Sequence, residues 1–481
     1  MNRLSYPIFI LLFLSVSFAG GSHSSSSVHV ANDAFNQNWI LWLSPFLGIL
    51  LSIAIIPLIK PSFWHHHYGK VSLFWGLLFF CSFLVTFPDK TLFYLMEVYL
   101  HEFLPFIMLL LALFAISGGI LIKGNLQGTP KLNLLILLIG TALASIMGTT
   151  GASMLLIRPL IKANYWRKNK VHIIVFFIFL VSNIGGSLTP IGDPPLFLGF
   201  LKGVDFTWTL YNMFLPMLIV SSILLIVFYF IDLYFYKRET NHPDKNETNQ
   251  ISIKIEGKFN FILIGVVIGA VILSGLESFQ GAAILYQNET IMTVGILLQI
   301  LLLIIATLLS LYFTPKDIRQ QNAFTWEPIK EVAKLFATIF LTMIPAITML
   351  QNFKEETNPL HFLASWIKDS SGNNIDYMYF WLTGILSSFL DNAPTYLVFF
   401  ETAKTGNDVN WLMNAGSQTL LAVSCGAVFM GAMSYIGNAP NFMVKSISEE
   451  NKIKMPSFFG YMIWSILILM PIFVVVSYIF F

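Results

Sequence analysis

The sequence predicts an all-α polytopic membrane protein with two inverted-topology repeats, each containing a re-entrant helical hairpin and a broken transmembrane helix. Three observations predict this fold: the composition, the distribution of Lys and Arg between loops, and a motif that occurs in both halves. Hydrophobic residues make up 56% of the 481 residues and charged residues 11%, about half the charged share of a soluble domain. The apolar residues form blocks of roughly 16 to 29 residues, and a helix needs ~20 such residues to cross a lipid bilayer.

Eight of the apolar blocks are continuous and predict full transmembrane spans. They cover residues 39–59, 71–87, 100–122, 208–236, 259–276, 291–312, 333–350 and 458–481. Two further regions in each half have a different pattern. Residues 132–165 and 378–400 predict apolar hairpins that small polar residues interrupt midway, and residues 171–201 and 420–445 predict spans broken by Gly and Pro.

The distribution of Lys and Arg predicts the orientation of these elements. We assume that each hairpin enters and leaves on its own side and that each broken span crosses. The loops on one side then carry about 20 Lys and Arg, against about 5 on the other, so the richer side is cytoplasmic by the positive-inside rule. The first hairpin enters from the cytoplasm and the second from outside. The cytoplasmic loops begin at Lys60, Lys123, Arg158, Lys237, Thr314 and Lys445.

The N-terminus and the middle of the chain suggest the domain boundaries. Arg3, an apolar stretch and the small residues Ser17 and Ala19 predict a signal peptide that is cleaved after Ala19. The alternative, an uncleaved helix, leaves the topology unchanged. The expected division is a signal peptide at 1–19, a first repeat at 39–236, a polar cytoplasmic linker at 237–258 and a second repeat at 259–481.

The two halves share a motif at the predicted interruptions. SLTPIGDPPLFL begins at Ser187 and AMSYIGNAPNFM at Ala432, so Asp193 corresponds to Asn438 at an offset of 438 − 193 = 245. The hairpin tips, TTGAS at 149–153 and DNAPT at 391–395, match more loosely at an offset of 242. Interrupted segments at matching positions of two halves are typical of secondary transporters with inverted repeats.

The broken segments have the chemistry of an ion site. Unwound backbone at membrane depth is stable only where it contacts protein or a water-filled cavity. Its free carbonyl groups, together with Thr and Asn oxygens, are ligands that a dehydrated hard cation accepts in place of water. The positive ends of the half-helices would suit an anion instead. Backbone geometry alone therefore does not decide whether the site binds a cation or an anion.

Two carboxylates favour a cation. Asp193 and Asp391 lie inside apolar blocks, where a charge costs ~3 kcal/mol, so each is a functional candidate. Burial favours the protonated carboxyl and a bound cation favours the carboxylate, so a proton and a metal ion compete for one group. Both residues are candidate proton carriers. The structural alternative is that either Asp caps a half-helix; Asp193 directly precedes Pro194 and Pro195.

Other polar side chains occur at the same interruptions, where each is either a cation ligand or a partner for freed backbone groups. With the carboxylates, the candidate ion-binding residues are Thr149, Thr150, Ser153, Asn183, Thr189, Asp193, Asp391, Asn392, Thr395 and Asn438. His101 and Glu102 open the predicted third span and suit either a proton path or an interfacial pair. The histidines at 65–67 are expected in a short cytoplasmic loop, as part of an interfacial belt rather than a metal site.

Three stretches carry a resemblance to a known family. SNIGGSLTPIGDPPLFLGFLKG at 182–203, LDNAPTYLVF at 390–399 and YIGNAPNFMVK at 435–445 resemble the NhaD-type sodium:proton antiporter branch of the ion transporter superfamily. The resemblance extends over 39–481. The same superfamily contains arsenite permeases, citrate carriers and sodium-coupled dicarboxylate symporters.

The resemblance implies exchange of Na⁺ or Li⁺ for H⁺ by an elevator-like mechanism in the bacterial inner membrane. It further implies no resident cofactor, Na⁺ and H⁺ as the bound partners, and in many members a homodimer. One sodium site would lie among 149–153, Asn183 and Asp193. A second would lie around Asp391, Asn392, Thr395 and Asn438.

The alternative function is a sodium- or proton-coupled carrier of a small anion such as citrate, a dicarboxylate or arsenite. Dicarboxylate carriers of this superfamily have Ser-Asn-Thr at both hairpin tips, whereas both tips differ here. An anionic Asp391 would repel an organic anion, although citrate bound as a metal complex is compatible with it. The sequence gives little support to other functional classes, such as enzymes and nucleic-acid-binding proteins. The spans contain no His-Glu-x-x-His or Gly-x-Ser-x-Gly motif of an enzyme, and a net charge of +2 without a basic run gives no sign of nucleic-acid binding.

Overall fold

The computed structural model describes residues 35, 38–124, 126–240, 254–286, 289–351, 356, 358–404 and 408–481. The expected signal peptide at 1–19 lies outside the described residues, as do residues 241–253 of the expected linker. The proposed domain boundaries remain predictions.

The first half consists of helices with a single short strand. In chain order it contains α1 (Trp39–Ile59), α2 (Pro61–Thr86), α3 (Pro88–Met96), a π-helical segment (Glu97–Phe103), α4 (Leu104–Ser117), β1 (Leu121–Lys123), α5 (Pro130–Met147), α6 (Thr149–Ala163), α7 (Val171–Leu180), a 3₁₀ turn (Ile184–Leu188), α8 (Pro194–Leu201) and α9 (Trp208–Tyr236).

The second half repeats this order of long helices, hairpin and broken helix. It contains β2 (Lys254–Glu256), α10 (Phe259–Ser274), a 3₁₀ turn (Glu277–Phe279), β3 (Ala282–Tyr286), β4 (Glu289–Thr293), α11 (Val294–Phe313), α12 (Lys316–Gln321), α13 (Glu327–Thr342), α14 (Ile344–Gln351), a 3₁₀ turn (His361–Leu363), α15 (Ala364–Ile367), α16 (Asp376–Phe389), α17 (Asn392–Lys404), α18 (Val409–Met413), α19 (Ser417–Met430), a 3₁₀ turn (Gly431–Met433), α20 (Ala439–Glu450) and α21 (Phe458–Phe480).

The helices confirm the all-α polytopic fold class. Within the described residues, eight helices are long and apolar enough to cross a membrane, and a ninth span results if α13 and α14, which meet at a bend of 44°, are taken together. Two predicted spans, 39–59 and 208–236, match their helices end to end. The tandem α5 and α6 and the tandem α16 and α17 are the two hairpins, and breaks separate α7 from α8 and α19 from α20.

Two spans begin earlier than their apolar blocks. The second starts at Pro61 and the third at Pro88, in each case with proline in the first helical turn, where its missing N–H costs no hydrogen bond. The prediction that residues 65–67 lie in a loop is therefore wrong, because these histidines lie on α2. His101 and Glu102 likewise lie midway along a 30-residue helical span and do not open it.

Two short strand pairs were not predicted. β1 pairs antiparallel with β2 and joins the end of α4 to the start of α10. β3 and β4 form a hairpin whose last residue, Thr293, caps α11 by accepting a hydrogen bond from the Ile296 N–H at 3.3 Å. This cap explains why the helix begins at Val294 rather than at Ile291.

The helices form two packed groups. The helices with the hairpins and breaks, α5–α9 and α16–α21, pack mainly on each other, and we call them the core group. Helices α1–α4, α10, α11 and α13 form a second group, which we call the frame, and α14 packs both on α17 of the core group and on α1 and α13 of the frame. Within the core group the halves interlock: α8 of the first half packs on α17 of the second, and α20 of the second packs on α6 and α7 of the first.

The hairpins approach from opposite ends of α9. The base of the first hairpin is bonded near the end of this helix, where Asn133 Nδ2 donates to Asp232 Oδ2 at 2.9 Å. The segment after the second hairpin is bonded at its start, where Trp208 Nε1 donates to the Met413 carbonyl at 3.2 Å. Because α9 has 29 residues and is about 43 Å long, the hairpins enter the helical layer from opposite faces.

Glycines allow the backbone to fold back tightly at both breaks. A Cβ on Gly192 would lie 2.1 Å from the Gly186 carbonyl oxygen, and one on Gly437 would lie 2.6 Å from that of Gly431. Both glycines of the first pair map onto those of the second at the offset of 245 (431 − 186 and 437 − 192). The two breaks therefore have the same backbone arrangement, which only glycine permits.

Candidate functional site

The tip of the first hairpin contacts the first break directly. Gly148 joins α5 to α6 with a φ of +79°, a conformation that glycine adopts without strain. This turn aims the start of α6 at the break, where the Thr149 N–H donates to the Gly192 carbonyl at 2.9 Å. The same turn places the Thr149 hydroxyl beside Asp193, the residue that follows Gly192.

Asp193 is the centre of the site. Its side chain is only 1% exposed, and three neutral side chains from three different elements donate hydrogen bonds to it. Thr149 Oγ1 and Asn438 Nδ2 each lie 3.0 Å from Oδ1, and Asn392 Nδ2 lies 2.7 Å from Oδ2. Both hairpin tips and both breaks therefore meet at one carboxylate. Within the described part of the chain, Asp193 has no ion-pair partner.

The amides around Asp193 form a connected network. Asn438 Nδ2 also lies within hydrogen-bond distance of the Ser182 carbonyl, at 3.1 Å, and of Asn183 Oδ1, at 3.3 Å. Asn183 Nδ2 donates to Asn441 Oδ1 at 2.7 Å. By contrast, the buried Oδ1 of Asn392 has no hydrogen-bond partner among the described residues. An unpartnered carbonyl oxygen in a buried site next to a carboxylate is an available cation ligand.

Asp391 lies near this network and has a different role in the structure. Its Oδ1 accepts a hydrogen bond from the Ala393 N–H at 3.1 Å, so it caps the start of α17. It is also close enough to Asp193 for the two negative charges to repel each other. Capping a half-helix, the alternative to ion binding, is therefore the role seen for Asp391. The Asp193 side chain precedes α8 but forms no capping hydrogen bond.

The remaining predicted residues lie around the same centre, with local partners. Ser153 Oγ is 2.9 Å from Ser182 Oγ. Thr395 Oγ1 donates to the Asp391 carbonyl at 3.0 Å, and Thr189 Oγ1 donates to the Ser145 carbonyl. Thr150 lines the cavity beside Thr149. Thr189 and Thr395 thus satisfy backbone carbonyls, while Thr149, Asn392 and Asn438 contact the carboxylate.

Sequence reasoning missed the serines that fix the hairpins to the breaks. Ser145 Oγ donates to the Gly185 carbonyl, and Ser387 Oγ donates to the Ala427 carbonyl at 2.7 Å. The donor and the acceptor of the first bond correspond to those of the second at an offset of 242 (387 − 145 and 427 − 185). Extending the hairpin alignment four residues back from the tip would have found this pair in the sequence.

A small cavity lies against Asp193. It has a volume of about 70 Å³, room for a few water molecules. One wall comes from the core group, at Thr149–Gly151 and Gly192–Pro194, and the other from the frame, at Phe106 of α4 and Ile329 of α13. Among the described residues that line the cavity, Asp193 is the one with a charged side chain. No group of three or more His, Cys, Asp and Glu side chains in the described ranges could hold a metal ion.

Comparison with known proteins identifies a family. A family model described as "Putative citrate transport" (CitMHS_2) matches residues 35–481. The match therefore includes both hairpins, both breaks and all the candidate membrane spans among the residues that the structure describes. Comparison with curated proteins gave no match. The chain belongs to the CitMHS_2 transporter family, and it is a multi-pass membrane protein.

Proposed function

We propose that this protein is a secondary active transporter that exchanges Na⁺, or Li⁺, for H⁺ at Asp193. The proposal rests above all on one observation: a buried carboxylate at the meeting point of both hairpins and both breaks has only neutral hydrogen-bond partners. A buried carboxylate without a positive partner is unfavourable unless it binds a cation or a proton. Asp193 therefore requires one or the other.

The neighbouring groups suit a small cation. The free Asn392 Oδ1, the Thr149 hydroxyl and the backbone carbonyls of the breaks are oxygen ligands of the type that Na⁺ accepts. Rotation of the Asn392 or Asn438 amide by 180° would replace a donated hydrogen bond with a carbonyl oxygen directed at the ion. When the ion leaves, the same amides again donate to the carboxylate, or a proton binds to it. Cation and proton thus compete for Asp193.

The two packed groups give this site a route to alternating access. The cavity lies between the core group and the frame, and its frame wall includes Pro328 and Ile329 at the start of α13, which follows a loop predicted to be cytoplasmic. We therefore assign the structure to an inward-facing state. Movement of the core group along the frame, as in an elevator, would carry Asp193 toward the other side.

Transport of citrate is the second candidate function, and the description of the family favours it. The site argues against free citrate. Its volume of about 70 Å³ is well below the ~300–1,000 Å³ usual for small-molecule sites. In addition, no Lys, Arg or His is among the described residues of its lining, so a multiply charged anion would meet a carboxylate without a compensating cation.

The test is transport by the purified protein in liposomes with an acidic interior and a pH-sensitive dye. We expect NaCl or LiCl, but not KCl or citrate, to dissipate the pH gradient. Asp193→Asn should reduce the response to that of empty liposomes, because the amide neither binds a proton nor carries charge. Asp376→Asn is the matched control, since this half-buried carboxyl at the start of α16 bonds to Thr419 and not to the site.

Two results would contradict the proposal. The first is a sodium response that Asp193→Asn leaves intact. The second is no sodium response at all together with uptake of radiolabelled citrate, alone or with Mg²⁺, which would establish the anion carrier instead.

A further inference from the structure

A second charged cluster lies between the core group and the frame, away from Asp193. Lys202 follows the last residue of α8 in the core group, and its Nζ forms a salt bridge with Glu102 Oε1 on the frame. Both side chains are largely shielded, with exposures of 25% and 11%. Glu102 precedes the cavity-lining residues Phe106 and Leu113 on the same span, so by the topology predicted from the charges this contact lies outward of the cavity. The cavity at Asp193 lies on the opposite, cytoplasmic side of the group.

The local backbone presents Glu102 to the core group. Glu102 lies in the π-helical segment Glu97–Phe103, where the Leu104 N–H bonds to the Tyr99 carbonyl five residues back. Such widened turns are rare and often occur at functional positions. The other carboxylate oxygen of Glu102, Oε2, is buried and has no hydrogen-bond partner among the described residues. Glu102 therefore depends on Lys202 for charge compensation.

Lys202 has an alternative partner within its own group. Glu401 on α17, which is 3% exposed, is close enough to attract Lys202 electrostatically. Glu401 is held by Lys404 at 2.7 Å and by Gln351 Nε2 of α14 at 3.3 Å. A lysine between carboxylates of the frame, Glu102 and the neighbouring Glu97, and Glu401 of the core group can exchange partners when the groups move. It then remains compensated in a poorly hydrated region.

We propose that the salt bridge between Lys202 and Glu102 is a latch that holds the core group in the inward-facing position, with Glu401 as the acceptor of Lys202 after release. This inference rests on the proposed function in one respect, that the core group moves against the frame. Lys202 is a positioning residue here: it contacts no ion and changes the balance between two states. Removing either member of the pair should shift that balance toward the outward-facing state.

The test measures the position of the core group without transport. Spin labels are attached to cysteines at Ser371, on the loop before α16, and at Glu277, on the frame; both residues are exposed and lie on the predicted outer side. The background carries Cys81→Ser and Cys425→Ser. Double electron–electron resonance then gives the distance distribution between the labels in liposomes, in the absence of any transported ion.

We expect one main distance in the parent and a second distance, several-fold more populated than in the parent, in both Glu102→Gln and Lys202→Gln. The exchanged pair Glu102→Lys with Lys202→Glu should return the distribution toward that of the parent. Lys445→Gln is the matched control, because it removes a positive charge of the core group whose partner Glu449 lies on the same helix, α20. Its distribution should equal that of the parent.

An unchanged distribution in both single variants would overturn the latch, as would an equal shift in Lys445→Gln. Because the measurement requires neither sodium nor citrate, a protein that fails the exchange assay can still pass this test. The reverse also holds: sodium:proton exchange with an unaltered distance distribution would leave the proposed function intact and refute the latch.

Discussion

At the scale of single residues, the two acidic candidates differ in what they contact. Asp193 accepts hydrogen bonds from Thr149, Asn392 and Asn438, whereas Asp391 accepts one from the Ala393 backbone N–H. The sequence could not separate these roles, because both carboxylates lie in apolar stretches beside helix starts. The capping interpretation was more natural for Asp193, which precedes two prolines. The structure has the cap at Asp391 instead.

Two substitutions separate the capping of α17 by Asp391 from the contribution of its negative charge to cation binding. Asn caps a helix about as well as Asp, while Ala loses the cap at a cost of about 0.5–2 kcal/mol. If Asp391 acts only as a cap, Asp391→Asn should keep the stability and the sodium response of the parent, and Asp391→Ala should lower the melting temperature. If its charge helps to bind the cation, Asp391→Asn should weaken sodium activation at unchanged stability.

We expect the second outcome, because the two carboxylates are close enough to interact and a cation between them would relieve their repulsion. The measurement is the sodium concentration that gives half-maximal dissipation of the pH gradient, together with thermal unfolding in detergent. An unaltered half-maximal concentration in Asp391→Asn would limit this residue to its structural role.

At the scale of elements, the breaks depend on backbone contacts that exclude a side chain. The Gly192–Gly186 and Gly437–Gly431 pairs hold each half-helix start against the preceding 3₁₀ turn. The sequence signalled these breaks through Gly and Pro at matching positions. It could not indicate that the glycines of one break contact each other, since that depends on how the chain folds back.

Gly192→Ala should destabilise the protein severely. The added Cβ would lie 2.1 Å from the Gly186 carbonyl oxygen, and backbone must move to relieve the overlap, at a cost of about 1–3 kcal/mol or more. Gly269→Ala is the control: apart from its chain neighbours and the backbone of its own helix, no atom lies within 4 Å of its Cβ position on α10, and Ala favours a helix by about 1 kcal/mol over Gly. Thermal unfolding in detergent should show a loss for the first variant and no loss for the second. Equal melting temperatures for Gly192→Ala and the parent would refute the close contact.

At the scale of the whole molecule, the two halves interlock around one site. The first hairpin is anchored at the end of α9 by a buried cluster in which Asp232 contacts Arg167 at 2.5 Å and His172 at 2.8 Å. The second hairpin is anchored near the start of the same helix. This arrangement puts the two tips together in the middle of the core group, so that residues about 200 positions apart in sequence share one carboxylate.

Opposite entry of the hairpins predicts which loops face which side. In a Cys81→Ser background, a cysteine at Ser371 should react with a membrane-impermeant maleimide in intact cells, whereas one at Gln320 should react only after the membrane is opened. Both residues are exposed, so a failure to react reflects the side rather than burial. Labelling of both positions from the same side would contradict the inverted arrangement.

The sequence by itself determined the membrane fold, the order of the spans, hairpins and broken helices, and the positions of the breaks. These features follow from local rules: apolar length sets a span, and Gly, Pro and polar residues mark where helix cannot continue. It also brought out Asp193 and Asn438 as corresponding positions. Only the tertiary structure decided that Thr149, Asn392 and Asn438 meet at Asp193, that Asp391 caps a helix, and that Lys202 bridges to Glu102. Those contacts join distant segments, and their geometry depends on the packing of whole helices, which no local pattern encodes.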